Sequence, residues 1–565
     1  MRCTRSLLGA LALLLLPTLS RAQTAEFTAH ERRLVGLTSY SNGFFGNSLA
    51  LSGDTLAVGT PGATDLGPDS GTVFLWGRVN DDWQIQTQLH APDGATGERY
   101  SVLSLQGDTL AVGAPFHMVQ GTPAGAVYVY QRSAGVWLLQ AELLAPGPVQ
   151  TRYFGSSLSL DGTRLLVGSR GAAGLTGTAY VFVQSGGTWT FESQLDAADG
   201  QPLDEYGASV CLRGDSALVG AYGDDLTTAD EGSVYVFERS GAQWNFRTKL
   251  TALDASQSDG FGISLDIEGD VLAVGAWMAG DSPANQPGAV YLFQRQSGAW
   301  IQSLKLQPSN LTAFARFGAS VELSAGRLVV GAPGAGNYGG SGAAYFYQYL
   351  GGAWLLRQRL WPQGAVGSAN FGARVALDGE LLAVSAPLDG ENPFNQGSLR
   401  AYRTTTEFDA LCFGDGSGAD CPCANTTTLG FGMGCRHSGA KGGRLLAEGH
   451  ASVSADTLTL RGSEMHVGAG LYIQAQSALN LGTGLPLMDG LLCIGGSPIR
   501  LGAELISSLG DSAYPAGGSD LPVSVRGAVA PGTVCYYQVY YRDNATFCTS
   551  ALANFSNAVR VSWQP

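Results

Sequence analysis

The sequence predicts an all-β chain: a seven-bladed β-propeller, four antiparallel strands per blade, followed by a small β-sandwich. One observation is a phrase repeated seven times. It reads FGNSLALSGDTLAVGTP, then GTVFLWG, then a Trp and a Leu, and it restarts at Phe45, Tyr100, Phe154, Tyr206, Phe261, Phe317 and Phe371, in steps of 52 to 56 residues. A fixed period with four short apolar alternations is the mark of propeller blades. The second observation is a displaced strand. The seventh copy lacks the Trp–Leu segment, yet Leu34 stands eleven residues before Phe45, the spacing that Leu89, Leu143, Leu195, Leu250, Leu306 and Leu360 keep to the next start. AEFTAHERRLVG should therefore supply the outer strand of the last blade, closing the ring and leaving no unpaired edge. The third is a change of composition after residue 411, where seven of the nine cysteines lie.

The elements follow in order. Residues 1–22 read as a secretory signal peptide: Arg2 and Arg5, the apolar run Leu7 to Leu16, and small residues Ser20 and Ala22 before the cut. That run is too short to span a bilayer. The propeller occupies 27–404. In the third copy FGSSLSL is the first strand, DGT a turn, RLLVG a strand buried on both faces, GTAYVFV the third and TWTFESQL the fourth. The row Trp83, Trp137, Trp189, Trp244, Trp300 and Trp354 is expected to pack between neighbouring blades, the alternative being sugar stacking. Residues 405–411 read as a linker and 412–565 as a disulfide-bonded β-sandwich, because ASVSADTLTL, GLYIQAQS, VCYYQVYYRD and NAVRVSW alternate between Gly and Pro turns.

Composition excludes some partners. Charged residues are 14% of the chain and the net charge is −14, so neither nucleic acid nor an anionic membrane meets a favourable field. No stretch outside the leader approaches a membrane span. The expected location is outside the cell or in its envelope, where disulfides form. The candidates are Cys412, Cys421, Cys423, Cys435, Cys493, Cys535 and Cys548; the number is odd, so one is free, or pairs with Cys211 of the repeats, or pairs with another chain. Cys535 and Cys548 flank YYQVYYRDNATF and could staple neighbouring strands, while the CxC of Cys421 and Cys423, with Cys435, fits disulfides better than zinc. Asp415, Ser417 and Asp420 read as a Gly-rich turn, and Asn310, Asn425, Asn544 and Asn554 stand in glycosylation sequons.

The FG at the repeat starts and the GAP-like ends of the second strands (Thr60-Pro61, Ala114-Pro115, Ala332-Pro333, Ala386-Pro387) resemble FG-GAP repeats. The resemblance implies the seven-bladed propeller of integrin α subunits and of many secreted bacterial proteins, and adhesion or binding on one face. It departs from the integrin type at the calcium loops. SGDT, QGDT, DGTR and RGDS offer one carboxylate each, EGDV and DGEL two and SAGR none, too few for a DxDxDG site, so no cofactor or metal is expected, calcium being the alternative, and Asp54, Asp108, Asp215 and Asp270 read as turn residues. Arg213-Gly214-Asp215 is one more such turn. The opening CFGDGSGADCPC resembles a C-terminal module common in secreted planctomycete proteins.

The long connections, between second and third strands and between blades, share one face and vary while the scaffold repeats, as ligand-binding loops do. Candidate contacts there are His117, Arg170, Tyr222, Asp224, Asp225, Asp230, Glu231, Trp277, Tyr338 and Phe394. The acidic group Asp224, Asp225, Asp230 and Glu231 either binds a cation or is a solvated loop; Trp277, in the Pro position of the GAP-like pair, either stacks on a sugar or caps the core. The six histidines form no zinc pair, and no nucleophile elbow, phosphate loop or dinucleotide fingerprint stands in context. The expectation is a non-catalytic binding or adhesion protein for an extracellular protein or polysaccharide. The alternatives are a glycan-cleaving or ester-hydrolysing propeller enzyme, which needs carboxylates, Tyr or His converging on one face, and a structural envelope component.

Overall fold

The computed structural model describes residues 32–563 except 37–41, 80–81, 148–151, 172–175, 281, 283–284, 309–310, 337–340, 351–352, 361, 363–368, 390–395, 404–407, 412–420, 422–433, 436–441, 449–450, 455, 480–483, 508–510, 517–519 and 543–552. The leader, Tyr338, Phe394, Cys412, Cys423, Cys548, Asp415, Ser417, Asp420, Asn310, Asn425 and Asn544 lie outside the described residues.

Seven four-stranded antiparallel sheets form the blades. Blade two, for example, runs Val102–Gln106, Thr109–Ala114, Ala126–Ser133 and Val136–Leu143. The first strands of consecutive blades touch one another, and that of blade seven touches that of blade one, so they form the inner ring. The ring closes as the sequence requires. Arg32–Leu34 pairs with Ser398–Arg403, in the register Arg32 opposite Ala401 and Leu34 opposite Leu399.

Each blade interface is built from the repeated phrase. The repeat-start aromatics are all buried, 0–2% exposed, and those of blades one to six meet an aromatic of their own third strand edge to face, as in Tyr206–Tyr235 at 5.1 Å and Phe261–Tyr291 at 5.5 Å. Their backbone N–H groups reach the preceding blade, Phe261 donating to Glu231 O and Phe317 to Pro287 O. The glycine that follows lies flat on that blade: Gly262 has φ +95°, and a Cβ there would stand 2.6 Å from Ser233 O.

The Trp row packs between blades, as expected. Trp137 lies with Ala57, Val73 and Leu75 of blade one, whereas Leu143, six residues on, lies with Phe154, Leu165 and Val167 of blade three. Six residues along a regular strand would return to the same face. A bulge in every complete outer strand, between the partners of Val129 and Tyr130 in blade two, inserts one residue and turns the Leu to the opposite interface.

The short turns between first and second strands lock to the neighbouring blade. Ser52 Oγ accepts from Gly107 N at 3.0 Å, Gln106 from Gly162 N at 2.6 Å, Asp161 from Gly214 N at 2.6 Å, Ser324 from Gly379 N at 3.0 Å, and Asp378 from Gly53 N at 2.6 Å. Glu268 takes Ala325 N and Gly326 N. The turn carboxylates Asp54, Asp108 and Asp215 face Arg78, Arg132 and Arg239 of the third strands at 2.6–2.8 Å. Asp215 of the RGD tripeptide is thus ion-paired, on the surface, with Arg239 of its own blade.

Beyond the blades, strands Phe408–Leu411, Ala553–Ser562, Val534–Arg542, Gly468–Ala475 and Ile499–Ile506 form one sheet, and Arg444–Glu448, Thr459–Ser463 and Ser512–Tyr514 another. Leu445, Leu460 and Tyr514 of the second sheet share a core with Tyr472, Tyr537, Val559 and Trp563 of the first side, the two-layer packing of a sandwich. Three expectations need correction here. The stretch read as a linker ends in the strand Phe408–Leu411, which pairs with the last strand. Cys535 is not in a disulfide: its strand turns it into the core, where it is free and buried, and burial raises its thiol pKa. Asn554 is no glycan acceptor, being buried with its amide donating to Cys435 O. Cys421 and Cys435 are joined, and Cys493 is disulfide-bonded as well. Cys211 is free and buried on the inner strand of blade four.

Candidate functional site

The long connections form one layer. Gly97 N donates to Pro68 O, Tyr100 N to Ser70 O, Ser258 N to Ala229 O and Gly260 N to Asp230 O, so each loop between second and third strands is bonded to the connection entering the next blade. At the inner edge of this layer the residue before every repeat start is left-handed: Phe44, Arg99, Tyr153, Glu205, Gly260, Arg316 and Asn370 have φ of 53° to 63°. Non-glycine residues take that conformation rarely, and seven in register mark a position the fold imposes.

These positions meet the residues that end the second strands. Arg170, Tyr222 and Trp277 stand, in blades three, four and five, where other copies carry Pro. Arg170 pairs with Glu205 at 3.1 Å, and Tyr222 lies beside this pair, with burial first and Glu205 second raising its pKa. Arg316 covers the Trp277 ring at 5.4 Å from its centroid. Trp277 is half-buried, its edge on the Gly260 backbone, so it caps this end of the core with one face under a guanidinium. Phe116 meets Tyr153 at 5.1 Å and lies under Arg99 at 5.1 Å. The result is a rim of aromatic and arginine side chains around the inner strands. Phe116, Arg99, Tyr153, Glu205 and Arg316 were not among the sequence candidates; the signal of the last four is the position before a repeat start, and Phe116 follows the GAP-like pair of its blade.

The acidic group of blade four does not converge. Asp224 is 4% exposed and holds Lys249 Nζ at 2.6 Å, with Ser233 Oγ also donating to it. Glu231 is 1% exposed and staples its own loop, accepting from Leu226 N at 2.8 Å, Thr227 N at 2.6 Å and Thr227 Oγ1 at 2.6 Å. Burial opposes its charge, but these bonds outweigh it and hold its pKa down to about 2. Asp225 and Asp230 are exposed and linked by Asp230 N donating to Asp225 Oδ1 at 2.8 Å. Two of the four are therefore internal supports rather than contact residues.

His117 is buried too, but among carboxylates. Its Nδ1 is 3.1 Å from Glu98 Oε1, and its Nε2 is 3.7 Å from Asp93 Oδ2 and 3.9 Å from Glu142 Oε1. Tyr128 OH donates to Asp93 Oδ1 at 2.6 Å. Ligand atoms of Asp93, His117 and Glu142 lie within 4.8 Å of one another. Burial, then Asp93, raises the Glu142 pKa, with His117 pulling against them.

Comparison with known proteins gives a family and loose structural likenesses. No curated protein matches the chain. A crystal structure from Bacteroides fragilis NCTC 9343, of a protein proposed to be a 6-phosphogluconolactonase, aligns over 56% of this chain and 84% of its own at 13% identity and a TM-score of 0.39. At that score nothing is drawn from it. The FG-GAP repeat model matches seven times, at 32–76, 83–130, 137–182, 189–237, 244–293, 300–347 and 354–402. Those matches span more than half of the sequence and coincide with the blades and the ring-closing strand, so the chain belongs to the FG-GAP repeat family.

Proposed function

We propose that the protein is a secreted, non-catalytic binding protein that holds an extracellular polysaccharide or protein on the long-connection face of its propeller. The observation that carries this reading is the rim of Arg99, Phe116, Tyr153, Arg170, Tyr222, Trp277 and Arg316. Flat aromatic faces stack on sugar rings or peptide planes, and guanidinium forks take carboxylates in pairs of hydrogen bonds. A carboxylate-bearing polysaccharide fits that chemistry best, and an acidic protein loop comes second. Rigid blades hold the rim in place, which lowers the ordering cost of binding.

A screen of the mature protein on glycan and extracellular-matrix arrays, with and without calcium, tests the reading. The expected result is a hit among uronate-containing glycans that Trp277→Ala and Arg316→Ala each weaken about tenfold or more, the scale of an interface anchor. No hit, or a hit indifferent to both variants, rejects it.

A hydrolytic reading has one observation in its favour, the convergence of Asp93, Glu142, His117 and Tyr128 on the same face. Release of reducing ends from a bound glycan, lost in Glu142→Gln, would replace the binding-only reading.

A further inference from the structure

The repeats supply their own control for the His117 cluster. Blade four carries Asp199, Asp224 and Lys249 at the positions where blade two carries Asp93, His117 and Glu142. Tyr235 lies opposite Lys249 across the strands as Tyr128 lies opposite Glu142, and Tyr235 OH donates to Asp199 at 2.7 Å as Tyr128 OH donates to Asp93 at 2.6 Å. In blade four the Lys249 ammonium fills the centre, 2.9 Å from Asp199 and 2.6 Å from Asp224. Blade five does the same with Lys305, 2.7 Å from Asp254. Blade two has exchanged the internal cation for a third carboxylate and placed an imidazole beside it.

Three carboxylates, Asp93, Glu98 and Glu142, now surround one ring, and among the described residues no Lys or Arg is ion-paired with any of them. Glu98 is 2% exposed; its Oε1 bonds the Nδ1 side of His117, and its Oε2 is buried without a partner. A buried carboxylate left half-satisfied beside two others needs a positive charge nearby. With Glu98 on the Nδ1 side of the ring, Nε2 faces Asp93 and Glu142. A carboxylate behind a ligating histidine is the usual second support of a zinc site. The separations of 3.7 Å and 3.9 Å exceed a hydrogen bond. They approach the roughly 3.3–3.6 Å between ligands that bonds of about 2.0–2.2 Å impose around a tetrahedral ion.

We propose that Asp93 and Glu142 carboxylates and His117 Nε2 bind one zinc ion between blades one and two, with Glu98 orienting the imidazole. The mixed nitrogen and oxygen set favours zinc over calcium or magnesium, which take oxygen alone, and three protein ligands leave a fourth position for water. Asp93 and Glu142 are partly exposed, so the ion has a path from solvent. The inference does not depend on the binding reading above.

Calorimetric titration of the tag-free mature protein with zinc chloride, and with calcium chloride in parallel, tests it. One equivalent of zinc should bind, at least tenfold tighter than calcium. Asp93→Asn and Glu142→Gln should each weaken it tenfold or more, and Glu98→Gln by about 10–100-fold through the ring orientation. Glu142→Lys, which restores the arrangement of blade four, should abolish zinc binding while the melting temperature without metal holds or rises. Absence of zinc binding overturns the proposal, as does binding unchanged in Glu142→Lys or in Asp93→Asn.

Discussion

Asp259 stands two residues before the start of the fifth repeat, 3% exposed, with Ser256 N donating to its carboxylate at 2.8 Å. Burial raises its pKa to about 6 against that bond. A carboxyl raised in the folded state contributes stability below its unfolded pKa and loses it as pH climbs through the folded value. Asp259→Asn, which keeps an acceptor for Ser256, should therefore be more stable than the parent at pH 7.5, by the order of 2 kcal/mol. The gain should vanish at pH 3.5. Thermal melts at both pH values check this; a gain of equal size at the two would refute the assignment. The same scale shows what single residues concealed. Asp224 and Glu231 carry the charge of a ligand site in sequence but spend it on Lys249 and on backbone N–H groups. Aligning the seven copies would have exposed the opposite case, because His117 and Glu142 stand where blade four has Asp224 and Lys249.

At the scale of the strand, the period placed every blade and the Trp row, since both depend on residue types that recur. The outer-strand bulge did not show, because an inserted residue has no type of its own: it is Gln140 in blade two and Glu192 in blade three. Nor did the left-handed rim, where Arg, Tyr, Glu, Gly, Asn and Phe all occur. The glycines divide by neighbourhood. Gly262 lies against the preceding blade's backbone, whereas Gly269, at φ +57° in a turn of its own blade, has nothing within 4 Å of a Cβ. Gly269→Ala should cost about 1–2 kcal/mol for left-handed strain alone. Gly262→Ala adds a backbone clash and should cost of the order of 3 kcal/mol or more. Urea unfolding of both separates them; equal losses would mean that the blades slide apart to accept the methyl.

For the whole molecule, closure was legible because Leu34 keeps the spacing of the six other leucines to a repeat start. Two fastenings hold the ring. One is the pairing of Arg32–Leu34 with Ser398–Arg403; the other is the round of side-chain bonds from one turn to the next, ending with Asp378 on Gly53 N. The round skips the Arg213 turn, since arginine has no acceptor to offer. Removing residues 23–35 should leave Ser398–Arg403 as a bare edge. We expect a lowered melting temperature and early proteolysis in blade seven, read by mass spectrometry, with blades three to five protected longest. Uniform digestion would show that the blades unfold together whatever the edge.

The closing strand also sets a clock. Arg32–Leu34 emerges from the ribosome first and its partner Ser398–Arg403 among the last of the repeats. At synthesis rates of about 5–20 residues per second, tens of seconds separate them. Through that interval blades one to six can assemble, but the first-made strand has no place to dock. A cell that makes this protein must keep one end of it waiting, and the wait ends only when the seventh blade arrives.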